Sequence, residues 1–352
     1  MNRTEETPFA LTRRRIAMAI PLLGCAVWAS SVRALPTQAH SFVQRDSRGL
    51  MGTQVDIVVE SGDKSALLPA LAQAWSEMTR LSQMMSRYSP DSTVSAINRA
   101  AGIRPTPIPP ELLRVLKSAR DISALSNGAF DITVGTLKGW RFDGQQTTVP
   151  SDAEIQSQRQ LINYRHLHLD EGASTAYLTQ RGMALDLGGV AKLPILEAGM
   201  AVLKRHGIGN AMINGGGDVL VAGQLQGRPW RVGLRDPRAP EKMIGVLALE
   251  GQALVASSGD YERFFMYRGE RQHHILSPAT GRPTRGLHGV SLLAKDAASV
   301  NGLGAAMMVL GANASRTLLQ SRPGVEALFV DRDQSVWRSP GMATALGRSD
   351  LI

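Results

Sequence analysis

Residues 183–218 read MALDLGGVAKLPILEAGMAVLKRHGIGNAMINGGGD, and this stretch decides how the chain is organised. An apolar run, Met183 to Leu187, enters a Gly188-Gly189 turn. Lys192 follows, and apolar positions at helical spacing then predict a helix over Ile195 to His206, ended by Gly207. Ala211 to Ile213 and Val219 to Ala222 read as strands around the glycine turn Asn214 to Asp218. A carboxylate, a glycine pair and an ammonium at the head of a helix suit a phosphorylated ligand. The backbone approaches closely there, the first helical N–H groups lack partners, and the lysine supplies a cation.

The glycines do not form a dinucleotide fingerprint. That pattern needs glycines after a strand and opening a helix, whereas Gly207-Ile208-Gly209 precedes a strand and Asn214 to Asp218 leads into another. Nicotinamide cofactors are therefore disfavoured.

Working outward, Val55, Ile57 and Val59 alternate as in a half-buried strand. Leu67, Leu71, Trp75, Met78, Leu81 and Met85 recur as the inner face of a helix. Pro110 suits the first turn of a further helix that stops at Asn127-Gly128. Downstream, strands are expected at Trp230 to Leu234, Val246 to Leu249, Leu254 to Ala256 and Val290 to Ala294, with a helix at Asn301 to Leu310 ended by Gly311. A final hairpin is expected over Glu326 to Val330 and Ser335 to Trp337. Strands and helices do not strictly alternate, so the pattern is α+β. There is no internal repeat and no linker long enough to separate domains. The expectation is one domain over residues 35–352.

The amino terminus reads as an export signal over residues 1–34. Arg13-Arg14-Arg15 precede an apolar run from Ile16 to Trp28, with a small-residue cleavage site at Ala34. The run is short of the roughly 20 residues a membrane-spanning helix needs. The arginines suit a twin-arginine signal, an ordinary secretory signal stays open, and Leu22-Leu23-Gly24-Cys25 offers a lipoprotein box that would attach the protein to a membrane at Cys25. The expected location is the periplasm. Cys25 is the one cysteine, so the folded domain has no disulfide. The formal charge is +9, partly from the signal, with no basic stripe interleaved with aromatics, which argues against nucleic acid as a partner.

Several blocks, taken in order, resemble one family. They are Met51-Gly52-Thr53, Ser86 to Ser92 with Ile97-Asn98-Arg99, Asn127 to Gly135 (NGAFDITVG), Asp186 to Lys192, Asn214 to Asp218, Ser257 to Phe265 (SSGDYERFF), His273-His274-Ile275-Leu276 and Pro278 to Pro283. The family is the ApbE-type flavin transferases, which move FMN from FAD onto a threonine or serine of a target protein. The resemblance implies an α+β fold of mixed sheets and packed helices, T-fold-like, with a flavin cleft between two lobes. It implies FAD as substrate and Mg2+ as metal, with an acceptor flavoprotein, a membrane-linked electron-transfer protein, as partner.

By resemblance, Met51, Tyr88, Ala129, Phe130, Asp131, Asp186, Lys192 and Ile275 line the FAD site. Tyr88 and Phe130 offer flat faces to a ring system, and Asp131 and Asp186 accept hydrogen bonds from it. Phe130 as plain core and Asp131 as a cap are the alternatives. Lys192 is the expected pyrophosphate ligand. His274, the histidine immediately before the isoleucine, is carried over as general base. Adjacent histidines on a strand point apart, so His273 should face away. Asp260 and Tyr261 are expected to shape the same cleft.

The metal ligands carried over are Gly189, Asn301 and Ala305. The family pattern has an aspartate and a threonine at the last two, so the charge and the hydroxyl are missing here. Ser277 stands where the family commonly has aspartate, and Leu193-Pro194 where it has a glycine and an aromatic. Two other readings therefore stay open: an FAD-binding carrier or sensor with impaired catalysis, and an FAD pyrophosphatase with water as acceptor.

Overall fold

Alternating apolar residues build the central sheet. The computed structural model describes residues 41–142, 148–239 and 241–348. The export-signal reading of residues 1–34, with Cys25, lies outside them, as does a membrane attachment there. No helix among the described residues is long and apolar enough to cross a membrane. Eight strands form one sheet in the order Phe42–Leu50, Thr53–Ser61, Asn210–Gly215, Asp218–Ala222, Ala253–Gly259, Leu287–Ala294, Glu326–Asp331, Val336–Arg338. Every ladder in it is antiparallel.

The sheet is covered on both faces, which corrects the half-buried reading of Thr53–Ser61. Val55, Ile57 and Val59 enter the main core with the helices Lys64–Met85 and Lys192–Arg205, while Val58 enters a second core. That second core is closed by the two-stranded sheet Trp230–Arg235 with Met243–Leu249 and by Met342 of the helix Pro340–Arg348. Val219, Val255 and Leu328 join it, while their neighbours Leu220, Leu254 and Ala327 face the other way. Period-2 alternation thus serves two buried faces at once.

A smaller lobe carries the three-stranded sheet Thr106–Pro107, Thr175–Leu178, Leu167–Asp170 and the helix Pro110–Leu125, and it shares the main core. Pro110 opens that helix as expected, and the left-handed Asn127 and Gly128 end it. The α+β reading is borne out. Two boundaries differ. Met183 to Leu187 is not a regular strand but an extended segment. Asn98 holds it, accepting from Leu185 N at 2.7 Å and donating to Leu185 O at 3.1 Å, and Ile132 O accepts from Asp186 N. Gly311 interrupts the late helix without ending it: the helix Leu303–Gln320 kinks there at φ 77° and continues. Leu318 keeps an apolar face beyond the kink, and burying it favours resuming the helix.

The hairpin Phe264–Tyr267 with Glu270–His273 was not legible as strands. Phe264–Tyr267 is a short unbroken apolar run and Glu270–His273 is wholly polar, so neither alternates, and the hairpin pairs only with itself.

Candidate functional site

The turns at one end of the main sheet, the smaller lobe and the heads of two helices enclose a cleft of about 650 Å³. The residues carried over for FAD, base and metal all line it: Met51, Tyr88, Ala129, Phe130, Asp131, Asp186, Lys192, His274 and Ile275, together with Gly189, Asn301 and Ala305. Residues more than 200 positions apart thus meet because the antiparallel sheet returns its turns to one end.

The glycine pair has φ in the ordinary range, so its glycines serve close approach. A Cβ on Gly189 would stand 3.0 Å from the Phe130 ring, and one on Gly188 3.1 Å from Asp186 Oδ1. Phe130 is 8% exposed and packs beneath this turn, a core position as well as a lining one. Asp131 is buried, and its carboxylate is spent inside the protein. It accepts from Thr133 N and Oγ1 at 2.8 and 2.7 Å and from Tyr164 N at 2.7 Å. Burial pushes its pKa up against those bonds. This is the geometry of a cap.

Two ion pairs cross the cleft floor. Lys192, the first residue of its helix, pairs with Asp218 at 2.8 Å, and Arg87 pairs with Asp186 at 2.8 Å. Asp218 is placed by the glycine turn before it, where Gly216 and Gly217 have φ of 64° and 96°, the left-handed pair a two-residue hairpin loop requires. Its other oxygen accepts from Ser257 N. Sequence reasoning missed Arg87 and Asp218 as partners of the chosen residues. Both stood inside quoted blocks, but their pairing joins segments 99 and 26 positions apart in the chain. Tyr88 is 80% exposed at the rim, its ring faced by the Arg87 guanidinium at 5.4 Å.

The two histidines point apart. His273 is buried and donates Nε2–H to Thr284 O at 2.8 Å, while its Nδ1 accepts from Ile275 N. His274 lines the cleft, and its Nδ1 meets Arg263 O at 3.3 Å. A carbonyl only accepts, so Nδ1 carries the proton and Nε2 keeps its lone pair. Phe142 stands edge-on to this imidazole at 6.4 Å and is stacked on Trp140, with Phe265 tilted against both. This aromatic wall was not foreseen, because single aromatics spread over 125 positions carry no periodic signal. Asp260 and Tyr261 stand behind the cleft and do not line it. Asp260 binds Arg271 and His288, both at 2.7 Å, and burial pushes the Tyr261 phenol up to about 12.

The expected metal ligands do not fit magnesium. Asn301 is 3% exposed, precedes its helix by two residues, and donates Nδ2 to Val190 O at 2.9 Å. Ala305 has no donor atom. Of the carboxylates that line the cleft, Asp186 and Asp218 are committed to Arg87 and Lys192, Asp131 to Thr133 and Tyr164, and Glu262 faces Arg235 at 3.8 Å. No group of three His, Cys, Asp or Glu among the described residues could hold a metal. A hard dication that wants oxygen ligands and a carboxylate finds at these three positions one side-chain amide and the Gly189 carbonyl, and no charge.

Desolvation pulls His274 down to about 4, with the Arg263 and Lys192 cations and His273 adding to it, and burial also lowers His273. In the unfolded chain both titrate near 6.5, so between those values the unfolded chain binds protons that the fold refuses. Their contribution to stability is complete above pH 6.5 and is lost as pH falls below it, for His274 down to about 4. By pH 5 the loss at His274 should reach on the order of 1–2 kcal/mol. Urea midpoints at pH 7 and pH 5 should therefore fall less in His273→Gln/His274→Gln than in the parent. Equal falls would remove the histidines from the acid transition.

The ApbE family model matches residues 51–329 of this chain. The FAD:protein FMN transferase of Treponema pallidum is 31% identical over 289 residues, covering 78% of this chain and 80% of that protein. Among solved structures, the ApbE protein of Thermotoga maritima superposes with a TM-score of 0.78 at 30% identity, covering 87% of this chain and 99% of that one. The flavin transferase ApbE of Vibrio cholerae gives 0.75 at 25% identity, covering 87% and 100%.

Proposed function

The chain belongs to the ApbE family, and from that membership we infer that it is an FAD:protein FMN transferase. It would move the FMN half of FAD onto a threonine or serine hydroxyl of a target protein and release AMP. One observation carries the reading beyond membership: the cleft sets a cation, Lys192, and an unprotonated ring nitrogen, His274 Nε2, on the walls of one cavity large enough for a dinucleotide.

Lys192 heads its helix and neutralises diphosphate oxygens, exchanging Asp218 for the ligand. His274 takes the proton from the acceptor hydroxyl as its oxygen bonds to the FMN-side phosphorus, the anhydride P–O bond breaks, and AMP leaves as the phosphate monoester. A pKa of about 4 keeps the imidazole unprotonated at neutral pH, and the approach of diphosphate charge raises its basicity when the substrate is bound. Met51, Tyr88, Ala129 and Ile275 supply the cleft's lining, Phe130 supports the glycine turn, Asp131 caps the loop below it, and Asp186 holds Arg87 at the wall.

The acceptor in this reading is a membrane-linked electron-transfer flavoprotein in the periplasm, reached through the export signal of residues 1–34. Full-chain protein is incubated with FAD, magnesium and a candidate periplasmic acceptor while AMP, free FMN and acceptor mass are followed. AMP with a labelled acceptor is the expected result. AMP with free FMN would make the protein a hydrolase, and intact bound FAD a carrier.

Because residues 189, 301 and 305 offer magnesium no carboxylate, no step is assigned to the ion. AMP release by the parent should need more magnesium than release by Asn301→Asp/Ala305→Thr. Each single change should do less, since two oxygens serving one ion couple. A parent that saturates at low magnesium, with the double variant unchanged, would put the ion on other residues.

A further inference from the structure

Arg263 touches both sides of the cleft with different atoms. It immediately precedes the strand Phe264–Tyr267, and its main-chain carbonyl accepts twice from His274, from the backbone N at 3.0 Å and from ring Nδ1 at 3.3 Å. Its side chain turns to the opposite wall. Nη2 donates to Met51 O at 3.1 Å and Gly52 O at 3.3 Å, the two residues of the tight turn between Phe42–Leu50 and Thr53–Ser61. That turn has φ of 55° at Met51 and 69° at Gly52, so its carbonyls are presented by a left-handed pair. A Cβ on Gly52 would stand 3.2 Å from the guanidinium, which lies against the turn.

The hairpin that ends at His273 has no strand partner beyond itself, so the sheet does not fix its position at the cleft. Its cleft end is tied by the aromatic packing of Phe265 on Trp140 and Phe142, by Arg271 on Asp260, by His273 on Thr284 O and by this guanidinium, and of these only the guanidinium reaches the Met51 turn. Packing of rings sets a distance but not which imidazole nitrogen carries the proton. The Arg263 carbonyl sets that, as the rung next to Phe264–His273, and the guanidinium holds the residue that bears it against the Met51 turn.

We propose that Arg263 is a positioning residue, which rivets the loop ahead of the hairpin to the Met51–Gly52 turn and thereby fixes the tautomer and place of His274. The functional consequence rests on the reading of His274 as the base that takes the acceptor's proton. The geometric claim stands apart from it. The charged and titratable groups around the imidazole are Arg263 itself, Lys192 from the helix head across the cleft, and His273 from the same hairpin. Only Arg263 both bears a charge and holds the ring.

The test separates charge from position. Full chain labelled with 15N at histidine, without FAD, is titrated while two-bond 15N–1H correlations report tautomer and protonation, and His274→Gln assigns the signals. In the parent, His274 should be the Nδ1–H form and titrate well below free histidine. In Arg263→Gln the ring should drift toward the Nε2–H form and its midpoint rise by about one unit, because a like charge is removed. Arg263→Lys keeps the charge but loses the planar fork. Its midpoint should stay near the parent's while the tautomer still mixes. His273, whose bond to Thr284 O lies away from the rivet, should be unchanged in both variants and so reports an intact fold. AMP release should fall on the order of tenfold in kcat with KM for FAD held, as for a misplaced group.

Arg263→Gln and Arg263→Lys that both keep the parent tautomer, with His273 undisturbed, would overturn the proposal. If instead both variants behave as expected while His274→Ala releases AMP as fast as the parent, the assigned chemistry of His274 fails and the positioning by Arg263 stands.

Discussion

His274→Ala is expected to lower AMP release by about 10²–10⁴-fold, the span for loss of a general base, while FAD binds with nearly unchanged affinity. The imidazole acts on the acceptor's proton, which is absent from the complex with FAD alone. His273→Ala is the comparison. That ring is 4% exposed and turned to Thr284 O, so its loss should appear as instability, not as a lower rate in the surviving folded protein. FAD affinity that collapses in His274→Ala would make the residue a ligand contact. Because the free imidazole titrates at about 4, the acid limb of kcat/KM should lie well below the ordinary histidine range. The limb of kcat should lie higher, since bound diphosphate favours the imidazolium. An acid limb near 6.5 in both would show that His274 is not the titrating base.

Lys192→Ala is expected to weaken FAD by about 10²-fold and riboflavin hardly at all, because the ammonium meets only the phosphates. FMN should fall between them. The loss has two parts in this fold. The cation goes, and the Asp218 carboxylate, 9% exposed in its side chain, is left facing the diphosphate without its partner. Lys192→Ala/Asp218→Asn should therefore recover part of the affinity, a coupling that flavin fluorescence quenching can read directly. If the double variant binds FAD no better than Lys192→Ala, Asp218 does not oppose the ligand. If riboflavin weakens as much as FAD, the lysine holds the cleft's shape and not the phosphates.

Both predictions depend on residues already legible in the chain. The Gly188-Gly189 turn and Lys192 stood out because a close-approach turn before a helix head has few compositions, and His274 because the family resemblance carried it over. Gly189 shows where the physical reason had to be corrected. The close approach expected there toward a ligand is made in the fold toward the Phe130 ring, 3.0 Å from any Cβ, a contact between segments 59 positions apart. Asp131 shows the same at a carboxylate: in the sequence it was carried over as an FAD residue with a cap as the alternative, and the three donors around it commit its carboxylate to the cap.

What the chain determined by itself was local. Period-2 and period-3.6 patterns set most strands and helices, since side-chain direction follows from the backbone of each segment. Glycine and proline marked the turns because their φ preferences are intrinsic. What only the tertiary structure decided was who faces whom. The second buried face of Thr53–Ser61 required the separate sheet that covers it. The pairs Lys192–Asp218 and Arg87–Asp186 and the reach of the Arg263 side chain to the Met51 turn all join groups that no local pattern relates. Such contacts leave no periodic trace, because their spacing is set by how the sheet returns its turns to one end, and the charge a cleft presents to its ligand is fixed only after those partners meet.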